Sequence, residues 1–163
     1  MSSLFFNVGE IFEIAIQIER NGAAFYRKAA SNTANEEARL ELLRLAVMED
    51  NHEKIFTELK GQVAASEEDN EWYDPESEAA LYLENFAGGQ IFDITKDPWE
   101  LVPPETSLAA VLRVALECEK NSVVFYAGLK HVVPASFDAS PIEAIIQEEM
   151  VHVVLLSKRL EEL

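Results

Sequence analysis

Between residues 7 and 30 the apolar positions Phe12, Ile16, Ala23 and Tyr26 keep alternating gaps of four and three only if Glu19 is counted among them. The pattern predicts an amphipathic helix that carries a carboxylate in its own buried stripe. Residues 35–60 continue the rhythm through Leu42, Leu45, Glu49, His52, Phe56 and Leu59, with Glu49 and His52 standing where leucines are expected. A third helix over 107–131 has the stripe Leu112, Leu116, Glu119, Val123 and Tyr126. A fourth over 140–162 has Ile142, Ile145, Glu149, His152 and Leu156. No stretch alternates with the period of two that a half-buried strand needs, so the predicted fold class is all-α.

Local signals punctuate these helices. Thr33-x-x-Glu36 is a candidate capping box for the second helix, and Gly61 is placed to close it. Thr106 or Ser107 would cap the third helix after Pro103-Pro104, and Pro134 would end that region. Ser140-Pro141-Ile142-Glu143 combines an N-cap serine, proline at the first helical position and the glutamate of a capping box. Residues 62–106 differ in kind, holding four of the six prolines, the Gly88-Gly89 pair, both tryptophans and the acidic run from Ser66 to Trp72. Ser77 to Phe86 reads as a short helix, and Trp72, Tyr73, Phe92 and Trp99 are too apolar for a free linker, so this crossover is expected to lie along the body. Short connections make antiparallel neighbours. The expectation is one domain, 1–163, made of a hairpin at 7–60, a crossover at 62–106 and a hairpin at 107–162.

The two hairpins are copies. Glu49-Asp50-Asn51-His52 returns one hundred residues later as Glu149-Met150-Val151-His152, and Glu19-Arg20-Asn21-Gly22-Ala23-Ala24-Phe25-Tyr26 returns as Glu119-Lys120-Asn121-Ser122-Val123-Val124-Phe125-Tyr126. Each half reads Glu, then Tyr seven residues on, then Glu-x-x-His thirty residues after the first Glu. A bundle with internal duplication and a pseudo-twofold axis follows.

Composition narrows the chemistry. Thirty acidic residues against thirteen basic give a formal charge of −17, which repels nucleic acid and anionic membranes and gathers cations. Cys118 is the single cysteine, so the chain has no internal disulfide and no four-cysteine metal site. The first twenty residues lack a basic start, and Glu10, Glu13 and Glu19 interrupt their apolar run. Neither a signal peptide nor a membrane span is expected, and a cytoplasmic protein is.

Glu and His three apart on a helix project from one face, so both can reach one metal. A lone Glu-x-x-His is usually a surface pair. Two in matching seams, each preceded by another seam glutamate, make a metal centre of Glu19, Glu49, His52, Glu119, Glu149 and His152. Four ionised glutamates and two divalent cations sum to zero, whereas unpaired buried carboxylates would cost about several kcal/mol each unless protonated. Oxygen and imidazole donors suit iron or manganese. Tyr26 and Tyr126 lie in the same seams, where a buried hydroxyl needs a partner and the carboxylates would serve. Cys118, one residue off the seam, reads as inert packing, and His131 as a surface or helix-dipole residue.

With these motifs the chain resembles the rubrerythrin-like branch of the ferritin-like di-iron carboxylate superfamily. The resemblance implies a ferritin-like four-helix bundle, two irons held by those six residues, and reaction with dioxygen or hydrogen peroxide. Rubrerythrins proper add a cysteine-rich rubredoxin module and a further glutamate on the third helix. This chain has neither, with Leu116 and Ser122 flanking Glu119 at that spacing, so an external electron donor is implied. Three readings stay open: a ferroxidase- or peroxidase-type di-iron protein of iron handling or oxidative stress, an iron-storage subunit without turnover, and a structural bundle with a bound metal. A homodimer or larger homo-oligomer is expected.

Overall fold

In a computed structural model of the chain, residues 8–65, 98–101, 107–133 and 135–163 are described. They form α1 (Val8–Ser31), α2 (Glu36–Ala65), a 3₁₀ turn (Pro98–Leu101), α3 (Leu108–Val132) and α4 (Ser140–Glu161). None of the described residues is in a strand, and no helix among them is long and apolar enough to cross a membrane.

Two apolar clusters fix the topology. One contains Phe12 near the start of α1, Leu59 and Val63 from the end of α2, Leu129 from the end of α3 and Ile142 from the start of α4. The other gathers Ala29 and Ala30 from the end of α1, Leu42 from the start of α2, Leu112 from the start of α3 and Leu156 from the end of α4. Hence α1 and α2 run antiparallel, as do α3 and α4, while α2 and α3 run parallel. α2 ends at one end of the bundle and α3 begins at the other, so the second and third helices are joined by the long connection that the composition of 62–106 requires.

The helix ends differ in detail from the sequence signals. Asn35, not Thr33, caps α2: its Oδ1 accepts the Ala38 N–H at 3.0 Å, and Thr33 instead donates to the Ala29 carbonyl at 2.7 Å, closing α1. Asparagine is at least as good a cap as threonine, so the box is not needed. α2 also continues past Gly61 to Ala65. Glycine inside a helix costs only about 1 kcal/mol, and Val63, 3% exposed, extends the buried stripe of Phe56 and Leu59. Ser107 caps α3, accepting the Ala110 N–H at 3.3 Å. α4 begins at Ser140 itself, so the cap position falls on Ala139, which has no side-chain cap bond; the Ser140 hydroxyl and N–H both donate to Asp138 Oδ1, at 2.6 and 2.9 Å, just before the helix. Lys120 and Lys130 make exposed ion pairs of the kind worth about 0–1 kcal/mol each, and the partly buried Arg159 pairs with Glu41 at 2.8 Å.

The expected stripes are buried, with one shift on α3, where Ala115 and Ser122 face inward and Leu116 and Val123 only partly so. Trp99 packs on Phe25 with ring centroids 5.6 Å apart, as expected of a crossover residue lying on the body. The expected 77–86 helix, Trp72, Tyr73, Phe92, Thr106 and Pro134 fall outside the described residues.

Candidate metal centre

Between the two apolar clusters lies a polar layer with one residue set from each helix. Glu19 and Glu119 come from α1 and α3, Glu49 with His52 from α2, and Glu149 with His152 from α4, and none is more than 4% exposed. Placing four carboxylates and two imidazoles there opposes the hydrophobic effect that builds the rest of the core. The helices force them together because Glu and His sit at stripe positions, one turn apart on α2 and again on α4.

The six residues form two overlapping groups. Glu19, Glu49, His52 and Glu149 each offer one ligand atom, all within 4.8 Å of one another; Glu49, Glu119, Glu149 and His152 do the same. Glu49 and Glu149 belong to both groups. His52 Nδ1 is 3.0 Å from Glu149 Oε1 and 3.4 Å from Glu19 Oε2. His152 Nδ1 is 2.8 Å from Glu149 Oε2 and 3.5 Å from both Glu49 Oε1 and Glu119 Oε1. The imidazoles lie face to face, 5.9 Å between centroids and 23° between planes.

The tyrosines cross between halves. Tyr26 donates its hydroxyl to Glu119, and Tyr126 donates to Glu19, so each hairpin orients the other's carboxylate. This exchange is the pseudo-twofold relation that the duplication predicts. Both tyrosines are pushed up from their ordinary pKa by burial and then by the surrounding carboxylates, and they stay protonated as donors.

The remaining inward atoms lack such partners. Glu19 Oε2, Glu49 Oε1, both Glu149 oxygens, and Nδ1 of His52 and His152 are buried without an aligned hydrogen bond. Orphaned buried polar atoms cost about 1–3 kcal/mol each, and more when charged, so converging sets of them fit a cation better than they fit each other. Oxygen and imidazole donors with no thiolate match iron or manganese. Without a cation the centre holds protons. Burial, then the charges of Glu119 and other carboxylates, raises Glu49 and lifts Glu149 to about 8. Burial disfavours charged imidazoles, yet contacts with Glu119 and Glu149 overcome it and carry His152 to about 9, and contacts with Glu149, Glu19 and Glu49 raise His52 likewise. Burial would raise Glu119 too, but contacts with His152, Glu149 and Tyr26 bring it below its ordinary value.

Three features were not anticipated. Glu148, half exposed on α4, stands 2.9 Å from His52 Nε2. Gly22 on α1 leaves the space that the Glu49 side chain fills, since a Cβ there would sit 3.3 Å from Glu49 Cγ. His152 Nε2 is buried and has no hydrogen-bond partner among the described residues. The sequence signal for the first was the mismatch of Glu148 with Met48 between the copies, and for the second that of Gly22 with Ser122. His131 is exposed in the last turn of α3, away from the centre. Burial pushes the Cys118 thiol up to about 11, which keeps it in its unreactive form.

No protein-family model and no curated protein matches the chain. Among solved structures it is similar to a Thermotoga maritima chain assigned to the ferritin-like diiron-carboxylate proteins, with 26% identity, a TM-score of 0.71 and 96% of each chain covered. The fold is therefore the ferritin-like four-helix bundle, and the likeness supports the ferritin-like superfamily for this chain.

Proposed function

We propose that the centre holds two metal ions, iron in the first place with manganese as the other candidate, and that the protein is a ferroxidase- or peroxidase-type oxidoreductase. The whole chain, 1–163, is on this reading one di-metal domain of the rubrerythrin-like kind. Glu19, Glu49, His52 and Glu149 would hold one ion and Glu49, Glu119, Glu149 and His152 the other, with Glu49 and Glu149 common to both sets. The observation that carries the proposal is the pair of overlapping ligand groups sharing Glu49 and Glu149 in the buried middle of the bundle.

Two ferrous ions held by these residues would supply two electrons together, enough to take hydrogen peroxide and two protons to two waters without a one-electron product. The protein's part is to hold and orient. Tyr26 and Tyr126 keep their protons and hydrogen-bond through them to Glu119 and Glu19; on Glu19 the bond takes Oε1 and leaves Oε2 toward His52 Nδ1 at 3.4 Å, while on Glu119 the same Oε1 also faces His152. Phe56, fully buried, packs 4.8 Å from the Tyr126 ring and excludes water from that side. Dioxygen or hydrogen peroxide is the oxidant, and Fe(II) or an external donor supplies the electrons. A homodimer or larger assembly in the cytoplasm belongs to the same reading.

The test is metal content of protein purified from its native host without oxygen, followed by rapid-mixing oxidation of the Fe(II)-loaded form. Two irons per chain, rapid oxidation by peroxide or dioxygen, and repeated turnover with an added reductant are expected. Zinc alone, or Fe(II) oxidation no faster than in buffer, would overturn the proposal. The charge of −17 favours iron storage as the second reading. Uptake of many irons per chain without turnover would select it.

A further inference from the structure

The duplicated halves are alike in every inward ligand but not in what stands behind the histidines. His52 turns Nδ1 to the carboxylates, and its Nε2 meets Glu148 Oε2 at 2.9 Å. His152 also turns Nδ1 inward, but its Nε2 is buried with no hydrogen-bond partner among the described residues. In the repeat the position of Glu148 is taken by Met48, whose thioether has no charge and accepts hydrogen bonds weakly.

A carboxylate behind an imidazole does two things for a metal ligand. It fixes the tautomer, keeping hydrogen on Nε2 and the lone pair on Nδ1, and it makes the ring a better donor. Its negative charge also stands behind His52 and has no counterpart behind His152 among the described residues. Glu148 is half exposed, so it is not there to fill the core.

We infer that Glu148 is a positioning residue for His52 alone, and that the two metal positions are therefore unequal, the His52 position binding its ion first and more tightly. This rests on the two-ion reading of the centre. Partners of this kind change metal affinity by about 10- to 100-fold, so the two binding steps differ by about that factor. The His152 position fills second and is the first to be vacated when metal is scarce.

The experiment is an oxygen-free titration of the full chain with Co(II), followed by calorimetry and by the visible absorption of the bound ion. The parent is expected to bind two Co(II) in resolved steps. Glu148→Gln, which keeps an acceptor oxygen but loses the charge, should weaken the tighter step about 10- to 100-fold, alter its absorption and leave the weaker step in place. Met48→Glu should strengthen the weaker step and leave the tighter one in place. Equal effects of Glu148→Gln on both steps, or effects on neither, overturn the inference while two ions still bind and the reading of the centre stands. A parent that binds no Co(II) at any concentration ends both.

Discussion

Gly22→Ala should separate the stability of the helix from that of the centre. The new methyl would lie 3.3 Å from Glu49 Cγ, 3.5 Å from Cδ and 3.7 Å from Oε2, so Glu49 must yield by a few tenths of an ångström. Replacing a mid-helix glycine with alanine stabilises by about 0.5–1 kcal/mol, or about 1–4 °C for a chain of this size. In metal-free protein no ion holds the Glu49 carboxyl in place, and this gain should appear. With metal bound, Glu49 serves both ligand groups, and its displacement weakens both. At metal a hundredfold above the parental Kd, binding adds about 2.7 kcal/mol, and a tenfold weaker Kd leaves about 1.4 kcal/mol, a loss larger than the helix gain. Thermal melts in chelator and in excess Mn(II) without oxygen should show the variant above the parent in the first and at or below it in the second. If metal raises both melting points equally, Glu49 does not need the space that Gly22 leaves.

Stability of the metal-free protein should fall as pH rises. Glu149 and His152 titrate at about 8 and about 9 in the fold, above their ordinary 4.5 and 6.5, so the native state holds more protons in between. The contribution is present in full below the unfolded values and lost through the folded ones, and urea melts at about pH 6 and about pH 9 in chelator should show the decline, a rise being the contrary result. His52→Ala and His152→Ala should each abolish rapid Fe(II) oxidation by peroxide almost completely, while His131→Ala matches the parent. Two irons per chain oxidised at the parental rate in His152→Ala would move the reaction to the acidic surface. Tyr26→Phe should retain two metals per chain by metal analysis and slow or misdirect the oxidation, because Glu119 keeps its place in the ligand group but loses the donor that orients it.

The seams were legible because burial and helical period speak in the same positions: Glu19, Glu49, Glu119 and Glu149 interrupt four apolar stripes at the same depth, and no other arrangement of the stripes hides them. The helix ends were less so. Thr33 and Asn35 both offer cap oxygens, and only the path of the turn decides between them; Gly61 is a stop signal that Val63 outweighs. On α3 the stripe can be drawn through Leu116 and Val123 or through Ala115 and Ser122; hydrophobicity favours the first pair, and the fold buries the second. Glu148 was hidden for another reason. In an acidic chain one more exposed glutamate carries no signal, and its meaning depends on a histidine ninety-six residues away.

The crossed bonds from Tyr26 to Glu119 and from Tyr126 to Glu19 bear on where such a chain can come from. A single hairpin carrying Glu, Tyr and Glu-x-x-His would form the same two bonds, and both overlapping ligand groups, by pairing with an identical copy across a twofold axis. A small gene encoding half of this molecule is therefore already sufficient for the whole centre. Fusion of two such copies adds no ligand. What it adds is independence, since each copy can then mutate alone, and Met48 opposite Glu148 and Gly22 opposite Ser122 are places where the twins have ceased to match.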